Sequence, residues 1–167
     1  VLGTSGGLSV AAALGTKLAY DPQKDFAPIG LAVNVPYIFV VHPSIPATSV
    51  REFIDYAKKN PGKLNYASSG AGTPNHLGGE MLDMLAGIKT VHVPYKGGGP
   101  AITDLISGHI PIAILGINGQ LLELHQTEKI RILAVTGPQR LVAAPNLPTA
   151  AEAGFKDVTV TGTIGLF

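Results

Sequence analysis

Two glycine-rich segments hold the residues best suited to meeting a ligand, Ser68-Ser-Gly-Ala-Gly-Thr-Pro74 and Pro94-Tyr-Lys-Gly-Gly-Gly-Pro100. Each joins the end of a strand-like run to the start of a helical pattern. A helix start offers backbone N–H groups without intrahelical partners and the positive end of the dipole, which suits an anion. Ser68, Ser69 and Thr73 add hydroxyl donors, and Gly70 and Gly72 leave room for a ligand to approach the main chain. The other reading of either loop is a tight turn with no ligand.

Nucleotide and hydrolytic chemistry fit these loops poorly. Gly70-x-Gly72-x-x-Asn75 lacks the third glycine of a dinucleotide fingerprint, and Lys96 precedes Gly97-Gly-Gly99 where a phosphate-binding loop needs it afterwards. An α/β hydrolase would pair Ser68 or Ser69 with His76, yet no G-x-S-x-G elbow surrounds either serine. His76 falls in the first turn of a helix, a place for orienting the loop or lining a pocket. No catalytic residue is assigned. The histidines (His42, His76, His92, His109, His125) contain no H-x-x-x-H pair and cysteine is absent, so neither a metal site nor a cofactor is expected. His92, within Val91-His-Val93, reads as an internal structural residue and Asp104 as a solvated one. Arg51, Arg131 and Arg140 all lie outside the two loops, which leaves no arginine clamp for a carboxylate. Backbone amides and hydroxyls would do most of the coordination, with Lys96 the nearest cation.

The elements that must position these loops alternate between strand and helix. Ser49 to Asn60 carries an S-x-x-E capping box and Val50, Phe53, Ile54 and Ala57 at helical spacing, and Pro61-Gly62 stops it. A strand, Leu64 to Ala67, leads into the first loop. Thr73 as N-cap and Pro74 at the first helical position then open a helix whose apolar face is Leu77, Met81, Leu82 and Leu85, ending at Gly87. The unit repeats: strand Thr90 to Val93, helix Pro100 to Ile106, strand Ile110 to Leu115, helix Leu121 to His125, strand Ile130 to Val135. Thr149-Ala-Ala-Glu152 predicts a second capped helix, closed by Gly154, and Val158 to Phe167 alternates as a strand does. The pattern predicts an α/β fold with a mostly parallel sheet and flanking helices.

Composition agrees with a folded domain of ordinary size. Gly (21) and Pro (13) make about a fifth of the 167 residues, but 46% of the chain is hydrophobic, too apolar for disorder. Charged residues are 14% and the net charge is +1, which gives no footprint for nucleic acid. The longest apolar run, Ile29 to Val41, is interrupted by Asn34 and Pro36 and falls short of the roughly 20 residues of a membrane span. Val1 opens directly into an apolar segment without a basic leader, and Phe167 stops within a strand-like pattern; both are read as the ends of a piece of a longer protein.

At the two loops the chain resembles a known family. Tyr66-Ala-Ser-Ser-Gly-Ala-Gly-Thr-Pro-Asn-His-Leu77 and His92-Val-Pro-Tyr-Lys-Gly97 are similar to segments of the solute receptors of tripartite tricarboxylate transporters, the Bug-type periplasmic binding proteins. Tyr20-Asp-Pro-Gln-Lys-Asp-Phe-Ala-Pro28, Arg131-Ile-Leu-Ala-Val-Thr136 and Pro145-Asn-Leu-Pro-Thr-Ala-Ala-Glu-Ala-Gly154 extend the likeness along the chain. The resemblance implies a fold like the type II periplasmic binding proteins: two lobes that close on a small carboxylate. Residues 36–156 would be the second lobe, and residues 1–35 with 157–167 remnants of the first. It implies a periplasmic location, membrane transporter subunits as partners, no nucleic acid and no direct membrane insertion. The ligand would be a dicarboxylate, a tricarboxylate or an acidic amino acid. Carried over position by position, the binding residues are Ser68, Ser69, Gly70, Ala71, Gly72 and Thr73, with His76 behind them. Thr4 and Ser5 would face them from the first lobe, and Tyr95 would shape the wall. One departure is Pro111, where family members often carry an acidic residue.

Overall fold

The computed structural model describes all residues from Val1 to Phe167. Its central strand is the apolar run that is too short to cross a membrane: β2, Gly30–Val41. The first part of β2 pairs antiparallel with β7 (Thr161–Leu166), which in turn pairs antiparallel with β1 (Leu2–Thr4). The last part of β2 lies between β5 (Ile112–Gly116) and β6 (Arg131–Val135), antiparallel to both. β3 (Asn65–Ser68) pairs parallel with β5 on one side and with β4 (Val91–Pro94) on the other. β3, β4, β5 and β6 therefore share one direction and β2 runs against them.

The sheet is thus mixed where a mostly parallel one is expected. An alternation of helices and strands carries no mark of strand direction, and the reversal falls on β2, whose neighbours come from distant parts of the chain. Helices cover both faces of the β2–β6 region: α2 (Val50–Lys59), α3 (Pro74–Ala86), α4 (Gly98–Ile106) and α5 (Gly119–Gln126). Phe39, Val41, Ile112 and Ile114 point to the layer of α2 and α3, and Ile38, Val40, Ala113 and Leu115 to that of α4 and α5. A strand buried on both sides must be apolar at every position, which is why these runs show no polar alternation. A π-helical turn, Gly6–Val10, and a single-turn α1, Ala11–Ala13, follow β1. No helix is long and apolar enough to cross a membrane.

The capped helix α2 forms where the sequence places it. Ser49 Oγ accepts from the Glu52 amide at 3.2 Å, while the Glu52 carboxylate reaches one residue further upstream, to Thr48 N at 2.7 Å. At Thr149 and Glu152 the two bonds are fully reciprocal, Glu152 N to Thr149 Oγ1 and Thr149 N to the Glu152 carboxylate, but only one turn results, because Gly154 turns out of the helical path at φ 100°.

α3 differs more. It buries Asn75, Gly78, Gly79, Leu82 and Ala86, while Leu85 of the expected face is 43% exposed. The helical period is as expected and the phase is shifted. The glycines decide it: a Cβ on Gly79 would collide with the ring of Tyr66 on β3, so only glycine there lets the helix lie this close to the strand. α3 ends as expected at Gly87, whose φ of 61° is the left-handed conformation a C-cap needs.

Candidate functional site

The chain leaving β3 is folded back on itself by its own polar groups. Ser68 is fully buried; its hydroxyl donates to Gly70 O (3.0 Å), accepts from Gly70 N (3.1 Å) and lies 2.7 Å from His92 Nε2. Thr73 occupies the N-cap position of α3, but its hydroxyl donates backwards to Gly70 O at 2.6 Å. No side chain caps the first amides of α3; His76 Nδ1 instead accepts from Gly72 N at 3.1 Å and ties down the chain just before the helix. Gly72 adopts φ 72°, which a side chain would strain. The second glycine loop is stitched to the first by Tyr95 N to Ser68 O and Gly97 N to Ser69 O, both 3.1 Å. Tyr95 donates its hydroxyl to Asp104 at 2.6 Å, a bond that raises the phenol to about 12. Asp104 is accordingly half-buried and partnered, where a solvated residue is expected.

His76 and His92 stack face to face with ring centroids 3.9 Å apart. Burial, and then the neighbouring His76, lower the pKa of His92 from its ordinary 6.5, against a smaller opposing pull from Glu80. The folded state therefore takes up this proton at lower pH than the unfolded chain does. As pH falls below about 6.5 the unfolded state binds more protons, so stability declines until the folded pKa is passed. Thermal denaturation between about pH 7.5 and pH 5 should show this decline, with a flatter profile in His92→Gln.

These contacts hold the N-terminus of α3 against a cleft of about 270 Å³. Thr4, Ser5 and Gly6 line one wall, Ser69, Thr73, Pro74 and Asn75 the other, and Tyr37, Gly116 and Thr163 are also part of its lining. Pro74 has no N–H, and the amides of Asn75 and His76 have no partner in the chain. The Ser5 hydroxyl accepts from Thr163 N at 3.2 Å and that of Thr4 from Gly7 N at 3.4 Å, leaving both protons to donate. Ser69 Oγ likewise accepts from Asn75 Nδ2 at 3.1 Å and keeps its proton. No charged side chain lines the cleft. Its chemistry is that of neutral donors around a helix start.

The cleft thus brings together Thr4, Ser5, Ser69 and Thr73. Ser68, Gly70, Ala71, Gly72, His76 and Tyr95 do not line it; they shape or support the loop from behind. Asn75, Tyr37 and Thr163 are lining residues that sequence reasoning missed. Only Asn75 carried a signal, as a polar residue directly after the proline that opens the helix. Pro111 precedes β5, at the opposite end of that strand from Gly116, and so lies away from the cleft. Arg131 donates to the carbonyl of Ala47 and Arg140 to Glu152, and none of the three arginines lines the cleft. The serine–histidine contact present is Ser68–His92 and not one with His76, and its serine is sealed from solvent.

A larger hollow of about 860 Å³ lies beside β1 and β7, lined by Leu8, Asp21, Ile29, Leu31 and Phe167 among others. It includes no residue of the β3–α3 loop.

Solved structures share this fold. MatC of Rhodopseudomonas palustris, with bound malate, superposes with a TM-score of 0.87 at 28% identity, over 98% of this chain and 55% of its own. Rpa4515 of R. palustris, with adipate, gives 0.89 at 32% identity over the same shares. A UPF0065 protein from the tcbD-tcbE intergenic region of Pseudomonas sp. (strain P51) is 34% identical over 97% of this chain and 49% of its own length. The chain spans about half the length of the relatives it matches. The profile of the Tripartite tricarboxylate transporter family receptor, TctC, matches residues 2–167, and the chain belongs to that family.

Proposed function

We propose that this chain forms one wall of the binding cleft of a periplasmic solute receptor, which takes up a small carboxylate and delivers it to the membrane subunits of a tripartite transporter. The observation that carries the reading is that Asn75, whose amide is free at the start of α3, lines an uncharged cleft together with the hydroxyl-bearing Ser69, Ser5 and Thr4. Such donors neutralise an anion and do no bond-making chemistry on it, so the reading is a receptor and not an enzyme. Malate in MatC and adipate in Rpa4515 are carboxylates held by proteins of this fold.

Residues 36–156 would be one lobe, and 1–35 with 157–167 part of the other. Support comes from β2, which pairs with β7 up to Pro36 and with β5 and β6 from Tyr37 onwards. Leu2, Ile29, Leu31 and Val33 lie exposed on the first of these sheets, an apolar surface that further sequence would cover in a receptor of the relatives' length. A ligand favours the closed state by touching both lobes at once. Titration calorimetry with succinate, glutarate, citrate and glutamate, on this chain and on the longer polypeptide carrying it, tests the reading. At least one of them should bind the longer protein with micromolar affinity or better and the isolated chain far more weakly. Absence of binding by any of them to the longer protein would overturn it.

A further inference from the structure

Asn75 is 1% exposed and lines the cleft, yet only half of its amide is used. Both Nδ2 hydrogens are committed, one to the carbonyl of Ile114 at 2.7 Å and one to Ser69 Oγ at 3.1 Å. The Ile114 carbonyl can only accept, so it fixes which end of the amide is nitrogen. Oδ1, the remaining end, is buried and has no donor in the chain. The residues that share the cleft lining with Asn75 offer donors and no charged group: the hydroxyls of Ser69, Ser5 and Thr4. A plain carboxylate satisfies the donors and leaves this one acceptor orphaned, at the cost of a buried unpaired oxygen.

We infer that Asn75 Oδ1 is a specificity determinant that accepts a hydrogen bond from a hydroxyl group next to the bound carboxylate, so that the receptor selects hydroxycarboxylates over their unsubstituted counterparts. This rests on the carboxylate reading above. An ammonium group could also donate to Oδ1, but the cleft has no acidic side chain to balance it, and the positive end of α3 opposes it. The hydroxyl is therefore the favoured donor and α-amino acids are disfavoured.

The test is calorimetry on the longer polypeptide with matched ligands: succinate, L-malate and L-aspartate, then glutarate and 2-hydroxyglutarate, each against wild type and Asn75→Leu. Wild type should bind each hydroxy acid about tenfold tighter than its parent acid, with aspartate no better than succinate. Asn75→Leu, close in volume and without the acceptor, should bring each pair within about twofold. Equal affinity for malate and succinate in wild type would overturn the inference and leave the carboxylate reading standing. Tightest binding of aspartate would overturn the choice of hydroxyl. A preference that survives in Asn75→Leu would remove Asn75 from the role. If the variant fails to fold, the wild-type ratios decide alone. Failure of every acid to bind would sink the underlying reading as well.

Discussion

Gly79→Val should destabilise the chain by about 3 kcal/mol, near the upper end of overpacking costs, which corresponds to a fall of roughly 10 °C in Tm for a chain of this size. The new Cβ would strike the Tyr66 ring, and that ring cannot easily swing away. Its hydroxyl donates to Glu80 at 2.7 Å and to the His76 carbonyl at 3.3 Å, and the residue is 2% exposed. Valine gains a little helix propensity over glycine, too little to offset the collision. Gly78 supplies the contrast. A Cβ there would meet Val160 at 3.4 Å, an ordinary contact, so Gly78→Ala should be neutral or stabilise by up to about 1 kcal/mol. Thermal unfolding of the two variants separates them. Similar melting of both would mean that α3 does not lie on Tyr66 as described. The consequence reaches the cleft, because this close approach fixes where the start of α3 sits.

The largest effect on binding should come from Ser69→Asp. Asp can still accept from Asn75 Nδ2, so the loop retains its internal bond, but a negative charge now lines a cleft with no cation in it. Two like charges about 4 Å apart repel by about 4 kcal/mol at an effective dielectric of about 20. A loss of carboxylate affinity of about a hundredfold or more is expected, with Tm little changed. Unaltered affinity, measured by calorimetry on the longer polypeptide, would place the carboxylate elsewhere.

Much of the scaffold is legible in the residues, and the reasons are local. The Ser49–Glu52 box, Pro74 at the first position of α3 and the left-handed cap at Gly87 are decided by groups within a few residues of one another. What depends on distant partners is not legible. The direction of β2 is set by β5, β6 and β7, and nothing within Gly30–Val41 records it. The buried face of α3 is chosen by Tyr66 across the interface, so a count of apolar residues turned the helix slightly the wrong way. Asp104 reads as solvated until Tyr95 is seen above it.

At the site, residue types point to the right loop but cannot sort its layers. Ser68 and Ser69 are adjacent and chemically identical, yet one is sealed against His92 and the other lines the cleft. His76 accepts from Gly72 N and Thr73 donates to Gly70 O, so both side chains brace the loop and leave the first amides of α3 uncapped. Successive residues of a strand end face opposite ways, and that alternation separates the two serines.

The central claim is that the free amides at the start of α3 hold the carboxylate. A two-dimensional amide NMR titration of this chain with L-malate, carried to millimolar concentration, addresses it directly and tolerates weak binding. The largest shifts should fall on Ser69, Asn75 and His76, with Thr4 and Ser5 following from the facing wall. Shifts confined to Leu8, Asp21 and Phe167 around the larger hollow, with the α3 amides unmoved, would contradict the account.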